Sequence, residues 1–166
     1  VTILFLGIGK KENMNRDVMR EVIYNGLKDV TGDILIGSED KELIDIEVIG
    51  EVAEHIDYKF NKYMSEKKDK KLNIYYFMEK NDINIIEGKE LGKIINIVRD
   101  LINEPACVIT PEKLAEEAEK LGKEFGFEVE IMDEKEAEKL GMKAFLAVGR
   151  ASINRPKVIV MRYNGD

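Results

Sequence analysis

The stretch "RDLINEPACVITP", from Arg99 to Pro111, marks the point at which one folding pattern ends and another begins. Before it, apolar residues recur at helical spacing, and after it "EKLAEEAEKLG" begins another helix. Pro105 and Pro111 restrict the backbone of the short connection, and the residue before each proline is disfavoured in helical geometry. We therefore interpret this segment as a stiff joint that holds two structured parts at a fixed angle, and not as a catalytic loop.

Upstream of the joint, strand-like and helix-like segments alternate. The runs "VTILFLGIG" (1–9), "DILIG" (33–37) and "LNIYYFM" (72–78) are typical of strands. Amphipathic helices are predicted from Asn15 to Val30 and from about Ile46 to Met64. The apolar stripe of a last helix, which we expect to be buried, consists of Leu91, Ile94, Ile95, Val98, Leu101 and Ile102. This alternation predicts a mostly parallel sheet with helices packed on it.

The pattern starts again after the joint. Thr110 is placed to cap a helix over "PEKLAEEAEKLGKEFG", which Gly126 ends. The strand "FEVEIM", a short helix capped by Asp133 and stopped by Gly141, a helix or turn over "FLAVGRAS" and the strand "PKVIVMRY" follow. The chain therefore contains two α/β segments, with a boundary between about Gly88 and the joint.

Composition excludes several classes of protein. With 44% hydrophobic and 36% charged residues among 166, the chain has the composition of a globular protein. Its net charge of -7 and its interleaved charges argue against a nucleic-acid partner, and "KKDKK" (67–71) is typical of a solvated loop. A single cysteine excludes an internal disulfide, and no apolar run reaches the ~18 residues of a membrane span, so we expect a cytosolic protein. The chain starts at Val1 within an apolar run, and we expect a piece of a longer protein.

Each residue that could carry chemistry has a simpler explanation. The segment Gly7 to Lys11, "GIGKK", follows a predicted strand but lacks the spacings of phosphate-binding loops, so it is interpreted as a turn. His55 is the only histidine and has no companion ligand, and Cys107 has no base near it in sequence. Asp133 and Glu134 lie where carboxylates stabilise a helix start without any metal. We therefore predict no catalytic, metal-binding or cofactor-binding residue in this chain.

Two segments match motifs of one known family. The pattern R-[DN]-L-x-N-x-P-[AS]-N-x-x-T-P-x-x-[LF]-A is matched by Arg99, Asp100, Leu101, Asn103, Pro105, Ala106, Thr110, Pro111, Leu114 and Ala115. The pattern G-M-x-x-[FL]-L-[AS]-V-x-x-G-S, with a later Pro and Y-x-G, is matched by Gly141, Met142, Phe145, Leu146, Ala147, Val148, Ser152, Pro156, Tyr163 and Gly165. Upstream, "ILFLGIGKKE" and "YKFNKYMSEKK" are similar to the same family. The chain thus resembles the leucyl aminopeptidases, or cytosol aminopeptidases, although Cys107 replaces the usual Asn and Ala151 the usual Gly.

The resemblance implies a fold and an activity. It implies a three-layer α/β arrangement with a mostly parallel sheet: a partial, macro-domain-like N-terminal domain over residues 1–88, a linker helix and joint over 89–111, and the beginning of the catalytic domain over 112–166. The intact parent would be a cytoplasmic, hexameric metalloaminopeptidase, a hydrolase that uses two Zn or Mn ions to release N-terminal amino acids from peptides. The family's metal-ligand motifs, V-G-K-G-x-T-[FY]-D-S-G-G and N-T-D-A-E-G-R, do not occur in this sequence. We therefore expect the chain alone to be inactive.

Two other functions stay open at the level of sequence. Macro domains bind ADP-ribose, so the N-terminal part could be a non-catalytic binding module that uses "GIGKK" as a degenerate phosphate loop. Alternatively, the same scaffold could serve as an assembly or regulatory protein.

Overall fold

The computed structural model of this chain describes residues 3–38, 44–66, 72–76 and 83–165. It divides into two units, Val1–Asn103 and Glu104–Asp166. The first contains helices α1 (Arg16–Leu27), α2 (Ile46–Asp57) and α3 (Ile83–Asn103) and strands β1 (Gly32–Ile36) and β2 (Leu72–Tyr76), with a short 3-10 helix over Lys11–Asn13. The second contains helices α4 (Pro111–Phe125), α5 (Glu134–Lys139) and α6 (Lys143–Gly149) and strands β3 (Glu128–Met132) and β4 (Val158–Arg162).

A small parallel sheet with helices on it forms the core of the first unit, as the alternating sequence pattern predicts. Strands β1 and β2 run parallel, with Gly32 opposite Leu72 and Ile36 opposite Tyr76. Helix α1 is capped by Asn15, whose side chain accepts hydrogen bonds from two backbone amides of the first turn at 3.0 Å. The buried cluster that joins helices and sheet consists of Met19, Ile23, Leu27, Val48, Ile49, Val52, Ile56, Leu72 and Ile85.

Helices α2 and α3 pack through glycines. A Cβ atom at Gly50 would lie 2.6 Å from the carbonyl oxygen of Ile85, and one at Gly92 would lie 2.8 Å from that of Glu51. At Gly88 it would overlap the backbone carbonyl of Glu47. Because glycine has no Cβ, the two backbones approach more closely than larger side chains would allow. Glycines therefore decide which face of α3 is turned towards α2.

The apolar stripe predicted to bury α3 is largely exposed in this structure. Leu91, Ile94, Val98 and Ile102 all have exposed side chains, and that of Ile102 is 75% exposed. The prediction was wrong because it counted apolar side chains as the only means of packing. The face that is buried against α2 carries glycines, which make no contribution to an apolar periodicity.

Two further predictions for the first unit are corrected. Residues 3–9 of the first predicted strand form no strand, and Phe5 is 88% exposed. A strand requires a hydrogen-bonded neighbour, and no described strand pairs with residues 3–9. The helix predicted as far as Met64 ends at Asp57, because Tyr58 adopts an extended backbone with ψ 130°. Residues 1–2, 67–71 and 77–78 of the predicted elements lie outside the described residues.

The second unit follows the predicted order of elements but has an antiparallel sheet. Thr110 Oγ1 accepts a hydrogen bond from the Lys113 amide at 3.3 Å at the start of α4, and Gly126 ends this helix with φ +77°. The end of β3, at Met132, pairs with the beginning of β4, at Val158. Because α5 and α6 return the chain to the end of the sheet that it left, β4 runs back along β3. The expectation of a mostly parallel sheet therefore does not extend to this unit.

Candidate functional site

The segment Gly7 to Lys11 is largely exposed and has irregular backbone up to Lys10. A Cβ atom at Gly7 or at Gly9 would meet no other atom within 4 Å, and Gly9 has φ +77°. The element that follows is a 3-10 helix of only 3 residues, so no long helix directs its N-terminal dipole at this loop. The interpretation of this segment as a turn without a ligand stays a prediction.

The acidic residues at the start of α5 are used to cap that helix. Asp133 Oδ1 accepts hydrogen bonds from the amides of Lys135 and Glu136 at 2.8 and 2.9 Å, and Glu136 Oε2 accepts one from the Asp133 amide at 2.9 Å. The bond from the Glu136 amide is the main reason why the pKa of Asp133 lies below its ordinary value of 3.8. Because these interactions favour the ionised form, Asp133 stabilises the fold above that value and loses its effect as the pH falls through the lowered pKa.

No metal-binding cluster is formed by the part of the chain that the structure describes. Within residues 3–38, 44–66, 72–76 and 83–165, no group of 3 or more His, Cys, Asp or Glu side chains is placed to hold a metal ion. The described residues therefore offer no donor set that fits a dinuclear metal site.

Cys107 lies exposed in a turn between α3 and α4. The Pro105 carbonyl oxygen accepts hydrogen bonds from the amides of Val108 and Ile109 at 2.8 and 3.1 Å, which closes the turn around the cysteine. His55 lies on α2, in the other unit.

His55 instead belongs to an ionic cluster between α1 and α2. Arg20 Nε donates to both carboxylate oxygens of Glu51 at 2.9 Å, and its Nη1 donates to Asp17 at 2.7 Å. The hydrogen bond with Glu51 is the main reason why the pKa of Arg20 is raised above its ordinary value. His55 Nε2 lies 3.5 Å from Glu51, while its Nδ1 is buried and has no hydrogen-bond partner among the described residues. Glu51 is thus a buried carboxylate held by a cation on a neighbouring helix.

We expect Glu51→Ala to lower the free energy of unfolding by about 1–2 kcal/mol, because the side chain is only 5% exposed and its loss leaves Arg20 without its buried partner. Asp17→Ala is the matched control, since it removes the other carboxylate from the same arginine. The Asp17 side chain is 91% exposed, so this change should cost less than about 1 kcal/mol. Urea unfolding of both variants measures the difference, and equal losses would contradict a buried ion pair.

The polar residues of the joint motif meet at one tyrosine. The Tyr58 hydroxyl donates a hydrogen bond to Asp100 Oδ1 at 2.8 Å and accepts one from Asn103 Nδ2 at 3.0 Å. The guanidinium carbon of Arg99 lies 3.8 Å from the centroid of the same ring, within the range of a cation–π contact. These four residues, which we name the Tyr58 cluster, connect the end of α2 to the last turn of α3.

The Tyr58 hydroxyl is protonated at neutral pH. Partial burial and the hydrogen bond to Asp100 raise its pKa above the ordinary value of 10.0, while the hydrogen bond from Asn103 and the charge of Arg99 act in the opposite direction. A raised pKa means that the protonated form is favoured in the folded protein, and that this contribution is lost only as the pH rises through the raised value. The hydroxyl can therefore donate to Asp100 under all ordinary conditions.

Sequence reasoning did not identify Tyr58 or Glu51. Both lie far along the chain from their partners, and the signals in the sequence are weak. Glu51 is a carboxylate within the apolar stripe of α2, and Tyr58 follows directly after the end of that helix.

Within the described parts of the chain, no helix combines the length and the apolar character needed to cross a bilayer.

Comparison with known proteins shows that the joint lies within a catalytic-domain match. Residues 96–166 match the model of the cytosol aminopeptidase family, catalytic domain. A probable cytosol aminopeptidase from Fusobacterium nucleatum is 48% identical over 166 residues, which are 100% of this chain and 35% of the relative. One from a Sulfurihydrogenibium species is 38% identical over 176 residues, covering 97% of this chain and 35% of the relative. The chain thus spans about a third of the length of these curated relatives.

Solved structures show the same fold. The structure of a cytosol aminopeptidase from Coxiella burnetii aligns with a TM-score of 0.69 and 27% identity, over 86% of this chain and 30% of the other. The bottromycin maturation enzyme BotP, solved in complex with Mn, aligns with a TM-score of 0.76 over 96% of this chain and 36% of the other. Its identity is 19%, so this second likeness concerns the fold alone.

Proposed function

We propose that this chain, which belongs to the cytosol aminopeptidase family, provides the N-terminal α/β unit, the linker helix and the first part of the catalytic domain of a leucyl aminopeptidase. The observation that carries this proposal is the position of the matches. Similarity to the curated relatives runs along the whole chain, whereas the catalytic-domain match begins at residue 96, in the C-terminal half of α3. The proposed parts are residues 1–88, 89–111 and 112–166.

In this proposal, the complete protein is an exopeptidase that hydrolyses the first peptide bond of a peptide and releases its N-terminal amino acid. The reaction uses two divalent metal ions, Zn or Mn, and we place their ligands outside this chain. The 166-residue chain would then be inactive alone, and no catalytic step is assigned to it. By analogy with its relatives' names, the protein would act in the cytosol, and by family resemblance it would assemble as a hexamer.

The test is a comparison of this chain with the complete protein. We expect no release of p-nitroaniline from leucine-p-nitroanilide by the 166-residue chain with added Mn or Zn. The complete protein should turn over this substrate with metal and lose its activity when a chelator is added, because the metal polarises the carbonyl and activates water.

Both unexpected outcomes of this assay are informative. Metal-dependent turnover by the short chain would show that its own residues include a working site. A complete protein that stays inactive towards amino-acid p-nitroanilides and unblocked peptides with either metal would refute the proposed activity itself.

A further inference from the structure

The Tyr58 cluster shows what the polar residues of the joint motif do. Arg99, Asp100 and Asn103 lie within one turn and a half of helix, and their side chains all contact the same tyrosine. We propose that Tyr58 is a positioning residue whose ring and hydroxyl hold the last turn of α3 against the end of α2. It would thereby fix the place at which the chain leaves the first unit.

The last turn of α3 needs such a contact because apolar burial holds it only weakly. Ile102 and Asn103 are exposed, and the buried residues of α3, Ile85, Gly88 and Gly92, all lie towards its other end. The last turn of a helix also has carbonyl groups without intrahelical partners and frays easily. Before this last turn, Asn96 Nδ2 donates a hydrogen bond to the Glu54 carbonyl oxygen at 3.0 Å. Polar contacts to α2 are therefore found along the C-terminal half of α3.

The ring and the hydroxyl of Tyr58 make different contacts: the ring lies against Arg99, and the hydroxyl forms the hydrogen bonds. The hydroxyl is donor to one motif residue and acceptor from another, at distances typical of good hydrogen bonds. Its donated bond needs an acceptor at position 100, and an amide oxygen also accepts, although more weakly than a carboxylate. Asp100→Asn should therefore preserve the contact, whereas Asp100→Ala should remove it.

The catalytic consequence rests on the proposed function. The catalytic-domain match begins at residue 96, so the turn that Tyr58 holds belongs to the first residues of that match. A small displacement of a supporting element can lower the rate of an enzyme without removing any group from its active site. Tyr58 would then affect turnover although it lies outside the proposed metal site.

The test uses the complete protein and hydrogen exchange of the backbone amides from Arg99 to Asn103. Tyr58→Phe and Asp100→Ala should each increase exchange there roughly 3- to 10-fold, because each removes the hydrogen bond between Tyr58 and Asp100. Asp100→Asn should leave exchange within about twofold of the wild type. Tyr24→Phe is the matched control, since this tyrosine is in the same unit and its hydroxyl makes no hydrogen bond to the described residues. Unchanged protection in Tyr58→Phe, or equal effects of Asp100→Asn and Asp100→Ala, would overturn the proposal.

Kinetics of the same preparations distinguish positioning from a purely structural role. Tyr58→Phe should lower kcat for leucine-p-nitroanilide roughly 3- to 10-fold, with KM and bound metal as in the wild type. An unchanged kcat, or a loss of metal in proportion to the loss of activity, would overturn the positioning role. If the wild-type protein shows no turnover, the proposed function fails, while hydrogen exchange still decides whether Tyr58 holds α3.

Discussion

Replacement of Ile49 by alanine is expected to lower the free energy of unfolding by about 2–5 kcal/mol. The Ile49 side chain is 1% exposed and lies in the cluster that joins α1, α2, α3 and the parallel sheet. The truncation removes buried methyl and methylene groups and leaves a cavity, because closely packed neighbours relax only partly. Urea unfolding measures the change.

Ile94→Ala is the matched control for this prediction. It makes the same chemical change on α3, where the side chain is 47% exposed, so it should cost less than about 1 kcal/mol. Comparable losses at the two positions would mean that the exposed stripe of α3 is buried in the folded protein.

Gly88→Ala is expected to destabilise the chain by about 2 kcal/mol, although alanine is the better helix former. In an isolated helix the change would gain roughly 1 kcal/mol. Here the new Cβ would overlap the Glu47 carbonyl on α2, so the two helices must move apart. Overpacking of this kind costs roughly 1–3 kcal/mol, and more where backbone atoms are involved.

Gly7→Ala serves as the control for Gly88→Ala, because no atom lies within 4 Å of the added Cβ. It should change the free energy of unfolding by no more than about 0.5 kcal/mol. Thermal unfolding of both variants is the measurement. Stabilisation by Gly88→Ala, as helix propensity alone predicts, would contradict the close packing of α2 on α3.

Much of the order of elements could be predicted from short-range patterns. Thr110 and Asp133 cap helices as predicted, and Gly126 ends α4 in a left-handed conformation. Capping and helical periodicity depend on residues within about four positions of each other, so a local stretch of sequence contains the information. The prediction that no site residue lies in this chain stays a prediction.

The sequence by itself determined the α/β character, the two segments on either side of the joint and the family. Motifs and helix caps can be recognised from residues that are close together in the sequence. Only the tertiary structure decided which face of α3 is buried and that β4 runs antiparallel to β3. It also decided that Tyr58 contacts Arg99, Asp100 and Asn103 of the joint. Tyr58 lies 42 and 45 residues from Asp100 and Asn103, and no periodicity reveals a partner at such a distance. The burial of the glycine face of α3 could not be predicted either. The effect of a glycine depends on which backbone approaches it, and only the folded chain shows that.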